Sequence, residues 1–334
     1  MSSAKAPRDD KAAAEAPDLQ GPSLHPTEGG TEQAQNAKAE DALVAAAGGS
    51  VRQASLWSDA WRSLRRNPVF VAAGILLVLL SIMALFPGLF TRTDPLQCDL
   101  ANSRLGPGSN GAWFGYDLQG CDYYANIIYG ARVSMAIGLL VVGGSLVIGV
   151  TLGALAGYYG GWFDSLMSRL TDIFFGLPLI LGAIILLSAF PGERGLVTVS
   201  LALVVFGWMT VLRLLRSSVI SVKDSDYVVA ARALGANDWR IITTHILPNA
   251  IAPVLVYSTI AIGGIIATEA TLSFLGIGLQ KPSISWGLQI SEARNFVRTS
   301  PYLLLIPSAF LSVTVLCFIM LGDALRDALD PKLR

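Results

Sequence analysis

Long apolar runs alternate with shorter polar segments along most of this chain. Six such runs occur, at residues 69–90, 133–157, 166–190, 196–219, 250–274 and 302–321. Each reaches or exceeds the ~20 residues that an α-helix needs to cross the hydrocarbon core of a bilayer. The pattern therefore predicts an all-α polytopic membrane protein with six transmembrane helices, and it assigns residues 69–334 to one membrane domain.

A polar segment with helical periodicity, residues 226–247, separates the fourth and fifth runs; we call it the hairpin. Its first half has one face at i, i+3, i+4 and i+7, made of Tyr227, Ala230, Ala231 and Leu234. Gly235 is placed to end this helix as a C′ glycine. A simple connecting loop needs no apolar face, so this face predicts a helix that packs on something outside the membrane.

The second half of the hairpin predicts another short helix. Asn237 is a suitable N-cap, and the face that follows it contains Trp239, Ile242, Thr243 and Ile246. The alternative interpretation is an amphipathic loop that packs only on its own helix bundle.

Composition agrees with a membrane protein. Of the 334 residues, 53% are hydrophobic and 14% are charged, against ~25% charged residues in typical soluble domains. The formal net charge is zero, so no overall field favours binding to nucleic acid.

The N-terminal part of the chain has a different character. Residues 1–50 are rich in Ala, Pro, Glu, Gly and Gln, so they are expected to form a disordered cytoplasmic tail. A secretory signal peptide is not expected, because no apolar core follows a basic start. Residues 51–68, with Trp57 and Trp61, are expected to form an amphipathic segment at the membrane interface.

Basic residues determine the expected orientation. Four arginines precede the first span: Arg52, Arg62, Arg65 and Arg66. By the positive-inside rule they place the N-terminus in the cytoplasm. Six spans then return the C-terminus to the cytoplasm, where Arg326, Lys332 and Arg334 agree with this orientation. The same parity places the hairpin inside and residues 91–131 outside.

The outer segment contains two of the three cysteines, Cys98 and Cys121. Outside the cytoplasm such a pair can persist as a disulfide, and the bridge would contribute ~3 kcal/mol in the chain-entropy model. Two free thiols are the alternative. Cys317 lies in the last span and is expected to serve packing.

Small and polar residues inside the spans need an explanation of their own. Ser145, Gly149, Gly153 and Gly157 recur every four residues and predict a smooth ridge for close helix packing, either within this chain or against a partner. Gly176 and Pro178 predict a bend in the third span. Asp172 follows Arg169 by three residues, which predicts an ion pair.

Glu269 lies deep in an apolar run, where a lone charge is costly. One hypothesis is a polar contact in a translocation path or gate. The other is a buried residue that is hydrogen-bonded beside Thr268 and Thr271. The segment that follows, residues 281–286, contains Pro, Ser and Trp and predicts a folded outer element, either an interfacial cap or part of an outer gate.

Catalytic and metal-binding motifs are absent from the sequence. It contains no G-x-x-x-x-G-K-[ST] phosphate loop, and His25 and His245 have no companion ligands at metal-site spacing. No enzymatic activity, metal or cofactor is expected on this chain.

Several stretches of the sequence resemble one family. Ala230-Ala231, Gly235 and the sequence ILP that begins at Ile246 resemble the "EAA" loop of ATP-binding-cassette (ABC) importer permeases, with Val229 at the usual Glu position. Further stretches similar to the dipeptide and oligopeptide permeases are FGYDLQGCD (114–122), GARVS (130–134), AGYYGG (156–161), LSFLG (272–276) and GDALRDALDP (322–331). Cys121 stands where the family usually has Arg, which fits a lineage-specific disulfide with Cys98.

The resemblance implies a function and a set of partners. It implies the transmembrane pore-forming subunit of an ATP-driven importer for di- or oligopeptides, in a bacterial inner or plasma membrane. The partners would be a second homologous permease, one or two cytoplasmic ABC ATPase subunits that carry ATP and Mg, and an extracytoplasmic peptide-binding protein. The hairpin would be the coupling helix that docks on the ATPase.

Two alternatives remain open at the level of sequence. Importers that resemble this one also carry glutathione or nickel complexes. A secondary transporter driven by an ion gradient would instead use Glu269 and Asp172 as a proton relay.

Overall fold

The computed structural model describes residues 56–189, 192 and 194–329, so the predicted tail, residues 1–50, lies outside the described part. The helices are α1 (Leu56–Arg66), α2 (Pro68–Leu85), α3 (Tyr123–Tyr159), α4 (Gly161–Phe175), α5 (Leu179–Ala189), α6 (Leu196–Val222), α7 (Asp226–Ala233), α8 (Asp238–Arg240), α9 (Leu247–Ala250), α10 (Ala252–Phe274), α11 (Trp286–Ala293) and α12 (Tyr302–Leu329). A π-helical stretch, Ile241–Ile246, joins α8 to α9. The all-α prediction is confirmed.

Five helices, α2, α3, α6, α10 and α12, are long and apolar enough to cross a membrane. The predicted third span, 166–190, is not one straight helix, because α4 and α5 meet at 86°. The two helices are long and apolar enough to cross a membrane only if the bent pair counts as one span. The bend follows from Pro178, which has no N–H and disfavours helical backbone at the residue before it. The predicted bend at Gly176 and Pro178 is therefore confirmed.

The second span begins ten residues earlier than its predicted start at 133. Asp122 caps α3, since its carboxylate accepts a hydrogen bond from the Ala125 N–H at 3.0 Å. The helix has 37 residues, which corresponds to ~55 Å and exceeds the ~30 Å hydrocarbon thickness. The predicted outer segment, 91–131, therefore ends at residue 122. We call the bundle end that carries this segment the loop end, and the opposite end, which carries residues 226–247, the hairpin end.

The predicted ridge of small residues packs within this chain, against α6. A Cβ at Gly149 would lie 2.7 Å from the Trp208 carbonyl oxygen, and one at Gly153 would lie 2.7 Å from that of Leu212. Such distances are shorter than van der Waals contact with backbone atoms that belong to a neighbouring helix. The α3 and α6 backbones therefore approach each other closely, and this approach requires residues without a side chain at these positions.

The segment at the loop end is folded and attached to the bundle. Cys98 and Cys121 form a disulfide, which confirms the predicted pairing. Beside it, the Asp99 N–H donates to the Gly120 carbonyl at 3.2 Å. The Tyr302 hydroxyl of α12 donates to the Tyr116 carbonyl at 2.8 Å.

Replacing Cys98 with serine is expected to loosen this segment by about 3 kcal/mol, because the bridge closes a loop with a sequence separation of 23 residues. The spans do not depend on the bridge, so insertion should be unchanged. Limited proteolysis of the folded chain, followed by mapping of cuts within 91–122, measures the effect. Wild-type protein in reductant should match the serine variant, and Cys317→Ser, which removes a free buried thiol elsewhere, should not. Equal cleavage of all forms would contradict the prediction.

Candidate functional site

The first arm of the hairpin, α7, has two distinct faces. Val228 and Ala231 are buried, and Val228 packs with α6 residues in a common apolar cluster. Tyr227 and Leu234 point outward and are 43% and 89% exposed. The four residues of the predicted face do not share one environment. Ala231 packs inward, whereas Tyr227, Ala230 and Leu234 are exposed. Large exposed apolar side chains on a helix outside the spans offer a contact surface for another molecule.

The turn between the arms matches the prediction for Gly235. Its φ is +83°, a conformation that favours glycine. Its N–H donates to the Arg232 carbonyl, and the Ala236 N–H reaches back to the Ala231 carbonyl at 3.1 Å. This pair of hydrogen bonds is the Schellman arrangement that ends a helix.

The second arm begins at Asn237 as predicted. The Asn237 side chain accepts a hydrogen bond from the Arg240 N–H at 2.8 Å. Ile242 and Ile246 are buried, whereas Trp239 is 72% exposed. The predicted second face is thus also divided, and Trp239 joins Leu234 and Tyr227 among the exposed residues of the hairpin.

A polar contact attaches the hairpin to the end of α3. The Tyr158 hydroxyl donates to the Asp238 carboxylate at 2.7 Å, and the Arg232 guanidinium lies 6.0 Å from the centre of the Tyr158 ring. Tyr158 lies in the AGYYGG stretch, but this contact was not predicted, because nothing in that segment indicates a partner 80 residues away. With the apolar cluster shared with α6, this contact joins the hairpin to both helices of the closely packed α3–α6 pair.

Glu269 is fully buried near the loop end of α10. One carboxylate oxygen accepts hydrogen bonds from the Ser273 hydroxyl at 2.8 Å and the Ser285 hydroxyl at 3.1 Å, and its other oxygen has no partner. Glu269 is thus buried and hydrogen-bonded, as one of the two hypotheses states, while the adjacent Thr268 and Thr271 donate to carbonyl oxygens of their own helix. Glu269 therefore connects α10 to the N-terminus of α11.

The predicted outer element is α11 and the segment before it, and it packs into the bundle. Trp286 is fully buried, and its indole N–H donates to the Ile127 carbonyl of α3 at 3.0 Å. The Gln289 side chain donates to the Asn126 carbonyl at 2.8 Å. The element caps the loop end of the bundle by joining α3 and α10.

A cleft of about 440 Å³ opens between the α4–α5 bend, α6 and α10. Aromatic rings, small residues and threonine hydroxyls make up much of its lining: Phe174, Phe175, Phe206, Tyr257, Gly207, Gly264, Thr210 and Thr268. No Asp, Glu, Lys or Arg is among the lining residues, and Glu269 is not among them either. The cleft is therefore an uncharged cavity within the membrane part of the bundle.

Two ion pairs close the hairpin end of the α4–α6 contact. Arg216 binds Asp164 with two guanidinium nitrogens, one of them at 2.6 Å. Asp172 pairs with Arg213, so the predicted Arg169 partner was wrong. The Arg213 guanidinium also donates to the Thr171 hydroxyl at 3.0 Å. Among the described residues, no group of three or more His, Cys, Asp or Glu is arranged to hold a metal ion.

Two family models match the chain. Residues 149–334 match the binding-protein-dependent transport system inner membrane component family. Residues 55–107 match the N-terminal TM domain of oligopeptide transport permease C.

Curated relatives align over most of the chain. The dipeptide transport system permease protein DppC of Alkalihalophilus pseudofirmus is 38% identical over 283 residues, which is 84% of this chain and 91% of the relative. The oligopeptide transport system permease protein OppC of Bacillus subtilis is 38% identical over 285 residues, 85% of this chain and 92% of the relative. The glutathione transport system permease protein GsiD of Pectobacterium atrosepticum is 39% identical over 279 residues, which is 83% of this chain and 92% of the relative.

A solved structure has the same fold. An inward-facing form of the MetNI methionine ABC transporter aligns with a TM-score of 0.51 and 18% identity, over 62% of this chain and 97% of the matched chain. At this identity the likeness concerns the fold alone.

Proposed function

This chain belongs to the binding-protein-dependent transport system inner membrane component family of ABC importer permeases, and from that premise we propose that it is the peptide-translocating subunit of an ATP-driven importer. As a permease of this family it is a multi-pass membrane protein and not an enzyme. Peptides are the proposed substrate, because the names of two relatives, DppC and OppC, specify dipeptides and oligopeptides. Glutathione is the second candidate substrate, because the name of the relative GsiD specifies glutathione transport.

The hairpin is the proposed site of coupling between ATP hydrolysis and transport. It exposes Tyr227, Leu234 and Trp239 at one end of the bundle, while its inner face packs on α3 and α6. A cytoplasmic ATPase that binds ATP and Mg would dock on these side chains. Closure of the ATPase would move the hairpin, and the attachment to the α3–α6 pair would transmit the movement to the bundle as a rigid-body transition.

The proposed orientation and partners follow from the same assignment. The hairpin end, both termini and the ATPases would be cytoplasmic, in the bacterial inner or plasma membrane. The loop end would face the extracytoplasmic binding protein that delivers the peptide. A second homologous permease would complete the pore.

The uncharged cleft is the part of the translocation path that this chain is proposed to line. Along α10, Gly264 and Thr271 are exposed, and a helix face with small and hydroxyl side chains is unusual for lipid contact. The exposed residues of α2 are instead large and apolar, among them Ile75, Val78 and Leu79. The contrast favours lipid contact for α2 and the pore for α10.

Purification of the tagged chain from its native host in mild detergent, with mass spectrometry of the copurified proteins, tests the assignment. We expect a second permease and a P-loop ATPase. Trp239→Ala should lose the ATPase and keep the second permease. Trp113→Ala is the matched control, because Trp113 is 74% exposed against 72% for Trp239 but lies at the loop end. Isolation of the chain alone, with uptake driven by an ion gradient in ATP-free vesicles, would support a secondary carrier instead.

Replacement of Glu269 by glutamine distinguishes the two transport classes. Gln has the same shape and its oxygen still accepts hydrogen bonds from Ser273 and Ser285, so ATP-driven uptake should be at least partly retained. Alanine leaves both hydroxyls without this acceptor, and we expect a destabilisation of about 1–3 kcal/mol for each hydroxyl that stays unpaired. Uptake in vesicles and thermal unfolding measure the two effects. Complete loss of uptake in the folded Gln variant would indicate proton coupling.

A further inference from the structure

The helix that precedes the first span, α1, has an inner face fixed to the bundle and an exposed outer face. On the inner face, Ala60 and Leu64 are buried against Ala324 and Ala328 of α12. This contact holds α1 at the hairpin end, next to the last turns of the final span. The helix therefore has a defined rotation, and its other side is presented to the surroundings.

Among residues 60–66, the outer face of α1 has one aromatic ring and three cations. Trp61 is 51% exposed, and the Arg65 guanidinium lies 5.0 Å from the centre of its ring. Arg62 and Arg66 are also exposed. None of the ion pairs between described side chains involves Arg62, Arg65 or Arg66.

The position of α1 places this face at the membrane surface. Only Asn67 separates α1 from the spanning helix α2. Asn67 has extended backbone and caps α2 by accepting a hydrogen bond from the Val69 N–H at 2.9 Å. Because α2 is long and apolar enough to span a membrane and begins at Pro68, α1 is expected to lie within a few residues of the lipid headgroups. A soluble partner would find this face next to the bilayer, whereas an anionic lipid is already there.

From these contacts we infer that the outer face of α1 is a binding surface for the headgroups of anionic phospholipids. Trp61 sits at the interface, where its ring has apolar surroundings and its N–H meets water. Arg62, Arg65 and Arg66 neutralise lipid phosphates, which are attracted to basic side chains near the membrane surface. The inner face on α12 then couples the local lipid charge to the end of the last span.

Tryptophan quenching by brominated lipids tests the inference on the full chain in vesicles of phosphatidylcholine and phosphatidylglycerol. The bromine is placed on the acyl chains of one lipid or the other, at equal mole fractions. Subtracting the signal of Trp61→Phe isolates the contribution of Trp61. We expect brominated phosphatidylglycerol to quench Trp61 more strongly than brominated phosphatidylcholine does. The ratio of the two quenching signals is the lipid preference, and in R62Q/R65Q it should fall on the order of fivefold for each arginine removed.

Matched variants separate local charge from overall charge. R92Q/R298Q removes the same charge from exposed arginines outside α1 and should keep the preference. R62K/R65K keeps the charge and should keep the preference also, which shows that altered side chains at these positions still allow folding. Equal quenching of Trp61 by the two brominated lipids would overturn the inference. Absence of quenching by either lipid would overturn it too, and it would leave the face open to a soluble protein.

Discussion

Alanine at Gly153 is expected to lower the stability of the folded bundle, although alanine is the better helix former. The added Cβ would lie 2.7 Å from the Leu212 carbonyl oxygen and 3.2 Å from the Leu212 Cα. Both are backbone atoms of α6, so relief requires the two helices to separate. Overpacking of this kind costs about 1–3 kcal/mol, against a gain of up to ~1 kcal/mol from helix propensity. Unfolding by titration with sodium dodecyl sulfate measures the change in free energy.

Gly143 provides the control in the same helix. A Cβ there would have no atom within 4 Å, so Gly143→Ala should be neutral or slightly stabilising. Gly153→Ala is therefore expected to lower stability, whereas Gly143→Ala is not. Gly153→Leu should be more damaging than Gly153→Ala because more atoms must be accommodated. Similar stability for all three variants would show that α3 and α6 are not held at the observed distance.

Proline at Gly235 is expected to abolish coupling between ATP hydrolysis and transport while insertion is retained. Proline requires a φ near −65°, whereas Gly235 has a φ of +83°. It also removes the N–H that donates to the Arg232 carbonyl at 3.0 Å. The exposed side chains of the two arms, Leu234 and Trp239, would then lose their relative position. Binding-protein-stimulated ATPase activity of the reconstituted transporter measures the loss.

Asparagine at the same position is the conservative comparison. Asn tolerates the left-handed conformation and keeps the N–H, so Gly235→Asn should retain most of the stimulated activity. If the proline variant hydrolyses ATP and transports like the wild type, the hairpin is not the coupling element. If both variants insert but lose activity equally, the glycine acts through something other than its backbone conformation.

Local features of the hairpin could be predicted because the residues that form them are close in sequence. The helix end at Gly235 and the cap at Asn237 each depend on hydrogen bonds between residues no more than five positions apart. Which residues are buried was predicted less well. Val228 packs inward, while Tyr227 and Leu234 of the predicted face are exposed. A short helix with apolar residues on two sides has no single orientation until its neighbours are present.

The partners of buried and charged side chains could not be predicted from the sequence for a similar reason. Glu269 was identified as unusual from its apolar surroundings, but its contact with Ser285 depends on how α11 folds back on α10. Asp172 pairs with Arg213, which lies 41 residues away on another helix. A pattern of three or four residues proposes partners only on the same helix, and here it proposed Arg169.

The sequence by itself determined the number and approximate positions of the apolar runs, the all-α class, the turn and cap of the hairpin and the family, since each depends on composition or on neighbouring residues. The tertiary structure decided the 86° bend angle, the inward face of the hairpin, the Tyr158–Asp238 contact and the exposure of the α1 cations. The reason is geometric. Helix periodicity specifies which residues share a face, but the rotation of each helix about its axis is chosen only when all the faces pack together.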